Sequence, residues 1–333
     1  MGLEGAAKPT VTIKLVFAWL LFLAMTCWGA MAIVFSNLPD GLRFIGAGAF
    51  VIAALCSVLL PRKVIWKIAS FVAVFALVLA WWLVLPPSND RDWQPDVAML
   101  PSATISGSSV TLHHIRNCVY RSESDYTVRH YDRTFDLASL RSMDLFLVDW
   151  GLPHMAHTML SFGFDGDRYV CFSIETRKKK GEDYSSLRGF FKQYELTTVV
   201  ADERDVVRLR TNYRKGENVY LYRLRASPEL ARQVFLDYLR SVNELKERPR
   251  WYNALTANCT IDVWRHIVPY YPKATFDWRL LASGHVDEMA YELGAMDQTL
   301  TFPELRRRSL INERGKAANA DYSTKIRQGL PGF

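Results

Sequence analysis

The chain has 333 residues, a net charge of +7 and 50% hydrophobic content, and its apolar residues crowd the first ninety positions. Lysine and arginine are scattered among acids such as Asp202, Glu203 and Asp205 and form no basic stripe with interleaved aromatics. That argues against nucleic-acid binding and points the excess charge toward anionic lipid headgroups.

Three uncharged runs open the chain: Leu15 to Phe35, Phe44 to Leu60 and Ile68 to Leu85. The first is long enough to cross about 30 Å of hydrocarbon as a helix. It exceeds a signal-peptide core and two further runs follow it, which predicts a retained three-helix anchor over 15–85. Lys8 and Lys14 precede the first run, and Arg62, Lys63 and Lys67 lie in the second connection. The positive-inside rule then puts residues 1–14 in the cytoplasm and everything after Leu85 on the outer face of the inner membrane. Trp81 and Trp82 fall where an outer aromatic belt is expected, and Cys27 and Cys56 lie within spans as packing residues. Residues 86–92 (PPSNDRD) form a short linker that keeps the following domain near the bilayer.

The domain over 93–300 reads as α+β. Strands are expected at Val110–Tyr120, Tyr126–Arg133 and Met143–Asp149, with a helical turn at Asp136–Ser142 between the last two. Met155–Phe164 and Arg168–Glu175 form the clearest hairpin. Arg177–Tyr184 (RKKKGEDY) is a polar loop, read as a solvated turn or a phospholipid contact. Phe190–Thr197 is strand or irregular, and Val206–Thr211 and Val219–Arg225 read as strands. Asp202, Glu203 and Asp205 are expected to pair with Arg208 or Arg210. Ser227-Pro228 opens a helix with a stripe of Phe235, Tyr238, Leu239, Val242 and Leu245, ended by Pro249. Trp278–Leu293 is a further helix or pair of short helices, and the basic tail over 301–333 is expected to be poorly ordered.

The hairpin has a derivable register. Leu160, Phe162 and Phe164 share one face of its first strand, and Val170, Phe172 and Ile174 one face of its second. A three-residue loop Asp165-Gly166-Asp167 pairs Phe164 with Arg168, Phe162 with Val170 and Leu160 with Phe172. On the opposite face His157 then meets Glu175, a carboxylate placed to orient an imidazole and favour its charged form. A slip of two would bring Ser173 or Arg177 opposite instead.

Downstream, WYNALTANCT closes a polar turn at Asn258 and enters a short amphipathic helix with Cys259 in its first turn. Free amides and the positive dipole end there favour a thiolate. Seven histidines show no zinc spacing with matching cysteines, so neither a metal nor any other cofactor is expected. Cys118 and Cys171 lie on candidate strands in an oxidising compartment, where a disulfide and two separate thiols are both open. No Gly-x-Ser-x-Gly elbow supports a serine hydrolase. Cys259, His157 and Glu175 supply nucleophile, base and orienting acid.

The blocks WGLPHMAHTMLSFGF, FSIETRKKKGEDY, DERDVVRLRTN and WYNALTANCT, in that order, resemble the Lnb N-terminal periplasmic domain family over roughly Trp93 to His266. The resemblance implies a circularly permuted papain-like (NlpC-type) fold with an antiparallel sheet and helices, in which histidine precedes cysteine. It matches His157 to the family's histidine and Cys259 to its cysteine. The Asn-Cys order is also similar to lecithin:retinol acyltransferase. The implied activity is transfer of a phospholipid acyl chain, through a Cys259 thioester, to an amine such as a lipoprotein N-terminus. Arg177 and Asn258 are the candidate substrate-binding residues, with the Cys259 backbone N–H at the oxyanion. Two rivals remain: a thiol amidase or peptidase on cell-wall peptide, and a non-enzymatic membrane assembly module.

Overall fold

The computed structural model describes residues 9–152 and 154–333. Residues 1–8 of the expected cytoplasmic N-terminus, Lys8 included, lie outside the described residues. The chain forms two compact units: one holds the residues up to Pro87 together with Ser185–Gln193, the other Ser88–Tyr184 and Tyr194–Phe333.

The first unit contains helices α1 (Pro9–Val34), α2 (Asp40–Leu59) and α3 (Val64–Val84). Within them Ile13–Val34, Gly41–Leu59 and Val64–Val84 are long and apolar enough to cross a membrane. Leu20, Leu55 and Leu77 point outward, as a lipid-facing surface requires. Ile33, Ala47 and Phe50 pack inward. At Gly29 a Cβ would sit 2.6 Å from the Phe50 ring, so a glycine lets the first two helices approach. Ser185–Gln193, which includes the start of the Phe190–Thr197 stretch expected as strand or irregular, belongs to this unit. Phe191 packs on Trp28 and Phe35, with ring centroids 6.3 and 5.5 Å away. Lys192 Nζ donates to the carbonyls of Trp82 and Leu83, each at 2.8 Å. Those carbonyls lie in the last turn of α3, where Trp82 O also accepts from the Leu85 amide at 3.4 Å, and the ammonium caps them.

The second unit is α+β and mostly antiparallel. Its strands are β1 (Ser102–Ser106), β2 (Ser109–Arg116), β3 (Val119–Tyr120), β4 (Tyr126–Thr127), β5 (His130–Asp136), β6 (Leu140–Asp149), β7 (Ala156–Phe164), β8 (Arg168–Arg177), β9 (Glu195–Ala201) and β10 (Asn218–Arg223). Its helices are α4 (Pro95–Ala98), α5 (Glu203–Arg208), α6 (Pro228–Glu247), α7 (Cys259–Ile267), α8 (Val286–Glu292), α9 (Phe302–Arg308), α10 (Asn312–Ala317) and α11 (Tyr322–Lys325). The main sheet runs β1-β2-β9-β8-β7-β6-β10, with β5 also on β2. Its pairs are antiparallel except β2 with β9, which meet in parallel at Arg116 and Ala201.

Each face of this sheet has its own core. On one, Leu160, Phe162, Phe164, Val170, Phe172 and Ile174 pack with Phe235 and Tyr238 of α6. That helix starts as its sequence directs: the Ser227 side chain accepts from the Leu230 amide and Pro228 takes the first turn. On the other face, Phe146, Met159 and Cys171 pack with Val206, Ile311, Tyr322 and Ile326.

Several expectations are corrected. Val206–Thr211 is helical, as α5 and a π turn over Leu209–Tyr213, instead of a strand. The paired apolar residues Val206 and Val207, with Arg210 and Thr211 one turn on, are all buried. That spacing is one helical face. Asp205 and Glu203 do not pair with Arg208 or Arg210. Asp205 takes Arg116 at 2.8 Å, and Glu203 takes Arg327 at 2.6 Å. The tail is ordered: Leu305 of α9 joins the first core, Ile311, Tyr322, Ile326 and Leu330 close the second, and two of its arginines are used internally. Arg327 reaches Asp144 at 2.8 Å, and Arg306 bridges Asp149 and Asp287 at 3.0 and 2.9 Å. Cys118 and Cys171 are separate buried thiols in different apolar clusters, so the disulfide alternative falls. The linker is pinned from Ser88 onward: Asn89 Nδ2 donates to the carbonyls of Leu245 and Lys246 at 3.1 and 2.8 Å.

Candidate active site

The hairpin carries the register read from its apolar pattern: Phe164 faces Arg168, Phe162 faces Val170 and Leu160 faces Phe172. Gly166, with φ of 74°, makes the turn. The ladder continues to Met159 and Ser173 and stops there. Beyond it, β7 pairs His157 with Val148 of β6, and β8 pairs Glu175 with Thr197 of β9. The His157–Glu175 contact is therefore made by side chains alone, Nε2 to Oε1 at 3.1 Å.

Ser173 completes a triangle. Its hydroxyl lies 2.8 Å from His157 Nε2 and donates to Glu175 Oε1 at 2.7 Å. Arg210 Nη2 donates to the same carboxylate oxygen at 3.1 Å. Burial alone would raise the Glu175 pKa. The charge and hydrogen bond of His157, with Arg210 behind, instead hold it well below the usual carboxylate range. The acid is thus ionised, and its orientation is fixed from two sides.

Cys259 opens α7. Asn258 Oδ1 accepts from the amides of Thr260 and Ile261 at 3.0 and 2.9 Å, and its Nδ2 donates to the Ala254 carbonyl at 2.7 Å. Asn253 organises the preceding turn by accepting from the amides of Leu255 and Thr256, each at 3.0 Å. Two asparagines thereby fix the first helical residue.

The thiol of Cys259 is half-buried and hydrogen-bonds with His157, the Thr158 amide and the Thr260 hydroxyl. Burial works against its ionisation, but the His157 charge and hydrogen bond outweigh that and bring the thiol down to about 7. Burial also works against an imidazolium at His157. The Glu175 charge reverses this and lifts His157 to about 9. Between these values the pair exists as thiolate and imidazolium. A thiol, an imidazole and a carboxylate thus adjoin one another, a set that can support nucleophilic chemistry through sulfur.

Two expected site residues have other duties. Arg177 is buried: Nε donates to Val97 O at 3.0 Å, Nη1 to Asn89 Oδ1 at 2.9 Å and Nη2 to Ala98 O at 2.8 Å. Its guanidinium lies 4.2 Å from the centre of the Trp93 ring. It ties the start of the domain to β8 and offers no donor to a headgroup. Asn258 is a helix cap whose polar atoms are bonded within the turn. In the RKKKGEDY loop, Lys179 and Lys180 pair with Glu182 and Asp92 at 3.0 and 2.6 Å, the solvated-turn alternative.

Sequence reasoning missed four contributors. Ser173 lies two residues before Glu175, hence on the same strand face, a signal available from alternation alone. Arg210 becomes visible only once its segment is read as helix. Thr158 and Thr260 adjoin the two reactive residues in sequence, and their hydroxyls lie 3.3 Å apart. They also line an apolar pocket of about 770 Å³, its open mouth included, walled by β6, α7 and α8.

Fold and site together define a protein with an α+β domain that carries a Cys–His–Glu line behind three apolar helices. Residues 126–284 match the model of the Lnb N-terminal periplasmic domain family, in agreement with the resemblance of the sequence blocks. The match starts after β3 and extends past α7 to Gly284. Comparison with curated proteins and with solved structures returns no match. A periplasmic domain behind membrane-spanning helices makes this a membrane-associated periplasmic protein.

Proposed function

We propose that the protein is a thiol acyltransferase that takes an acyl chain from a phospholipid and gives it to an amine such as a lipoprotein N-terminus. The observation that carries this reading is the placement of Cys259 at the capped start of α7, its thiol against a His157 that Glu175 holds at 3.1 Å. The thiolate attacks the ester carbonyl of the donor. The Cys259 backbone N–H, at the start of α7, meets the developing oxyanion. As the C–O bond breaks, the His157 imidazolium gives its proton to the leaving oxygen, and a lysophospholipid departs. The sulfur now holds the acyl group as a thioester and His157 is neutral. An amine attacks the thioester, His157 takes its proton, and the thiolate leaves with an amide formed. Glu175, backed by Ser173 and Arg210, holds the imidazole in place throughout.

Intact-protein mass spectrometry after incubation with phospholipid tests the first half-reaction. An acyl adduct on wild type that is absent from Cys259→Ser is expected. Cleaved muropeptides with no acylated cysteine would replace this reading with the cell-wall amidase. Lipoprotein mass spectrometry in cells carrying Cys259→Ala tests the acceptor, since unchanged N-acylation would remove it.

A further inference from the structure

The apolar pocket has no role in the steps above, yet it touches the reacting pair. Thr158 and Thr260 line it. The Thr158 amide donates to the Cys259 thiol, and Thr260 Oγ1 lies 3.9 Å from Sγ. The pocket wall and the immediate surroundings of the sulfur therefore share two residues. Away from them the wall is mostly aliphatic and aromatic, with Leu145, Trp264, Leu280 and Met289, and Arg225 is its one charged residue. Such a wall offers a peptide or a sugar few hydrogen bonds and an alkyl chain full burial. Trp264 Nε1 donates to the Ala274 carbonyl at 2.8 Å, which holds the segment after α7 against the pocket. That segment exposes Phe276, Trp278 and Leu281 to its surroundings, an apolar patch beside the pocket residues Ala274 and Leu280.

We infer that this pocket is the acyl-chain subsite: it takes the single hydrocarbon chain whose carbonyl carbon is presented to Cys259, and its depth sets chain length. The assignment rests on the acyltransfer reading for what the chain is attached to, but not for the binding itself. Ala290, on α8, is a wall position where a larger side chain shortens the space.

Two measurements on the full chain in lipid nanodiscs separate the pocket from the chemistry. First, Cys259→Ala protein is irradiated with diazirine-labelled hexadecanoate and the cross-linked peptides are mapped. Labelling of β6, α7 and α8 supports the subsite, even should no thioester ever form on wild type. Labelling confined to the three apolar helices overturns it. Second, acylation of Cys259 by butanoyl and hexadecanoyl p-nitrophenyl esters is compared in wild type and Ala290→Phe. The hexadecanoyl rate is expected to fall roughly 10-fold or more relative to butanoyl. An equal fall for both esters, at unchanged Tm, overturns the chain-length role. Should Ala290→Phe fail to fold, the cross-linking map alone decides. Should neither ester acylate wild type, the acyltransfer reading fails, and the map still decides the pocket.

Discussion

At the residue scale, the proposed chemistry depends on an inversion: the thiol titrates below the imidazole. Cys259 comes down to about 7 and His157 goes up to about 9, so the reactive ion pair forms as pH rises through the first value and is lost through the second. Thioester formation should follow a bell with limbs near those values, read by acylation rates across pH. Glu175→Gln removes the charge that lifts His157. The high-pH limb should then move down, whereas a purely structural Glu175 would lower the rate without moving that limb. The histidine and its acid were legible in the chain because strand alternation and one three-residue glycine turn favour the register that faces Phe164 with Arg168, with slips of two as its alternatives. Ser173 was passed over because that register offered it only as a slipped alternative to Glu175. In fact the two act together, two residues apart on one face. Arg177 was misjudged for a different reason. A cation beside a lysine run looks solvated until the partners that bury it, Asn89 and the Val97 and Ala98 carbonyls, are known, and those lie 79 to 88 residues away.

At the scale of elements, Asn258 converts a turn into a helix start. Its side chain satisfies two amides, and the sulfur of the next residue is thereby aimed at His157. Asn258→Ala should cost about 1 kcal/mol, as loss of a good cap does. It should also raise the Cys259 pKa, because a frayed first turn weakens both the dipole and the histidine contact. Thermal melts read the first effect, and iodoacetamide rates against pH the second. The tail is the element that sequence could not resolve. A run of arginines and lysines reads as solvated, and its acidic partners, Asp144, Asp149, Glu203 and Asp287, are spread across distant strands and helices. Burial of Arg327 between Asp144 and Glu203 reverses that reading. Arg327→Met leaves two buried carboxylates without their shared cation and should destabilise the domain by about 3–5 kcal/mol. A Tm that stays within a degree of wild type would show the tail to be an appendage after all.

At the scale of the whole molecule, hydropathy alone located the three membrane helices, since each must satisfy its backbone internally and present an apolar surface. It could not show that a fourth piece belongs with them. Ser185–Gln193 lies between β8 and β9 in sequence but packs with the helical unit, where Lys192 caps α3 and Phe191 meets Trp28 and Phe35. This has a practical consequence for cutting the anchor away. A chain beginning at Ser88 keeps the complete sheet and the Cys–His–Glu line, yet it strands Phe191 without its aromatic partners, next to Leu187 and Phe190, which are already exposed. A contiguous exposed apolar patch promotes self-association. The truncated protein should therefore aggregate at micromolar concentration, and Phe191→Ser with Phe190→Ser should return it to a monomer that still reacts with iodoacetamide at Cys259. Size-exclusion chromatography with light scattering reads the outcome. A monodisperse truncated wild type would mean that the segment is independent of the anchor. Persistent aggregation of the double variant would place the sticky surface elsewhere, with the exposed Phe276, Trp278 and Leu281 as the next residues to change.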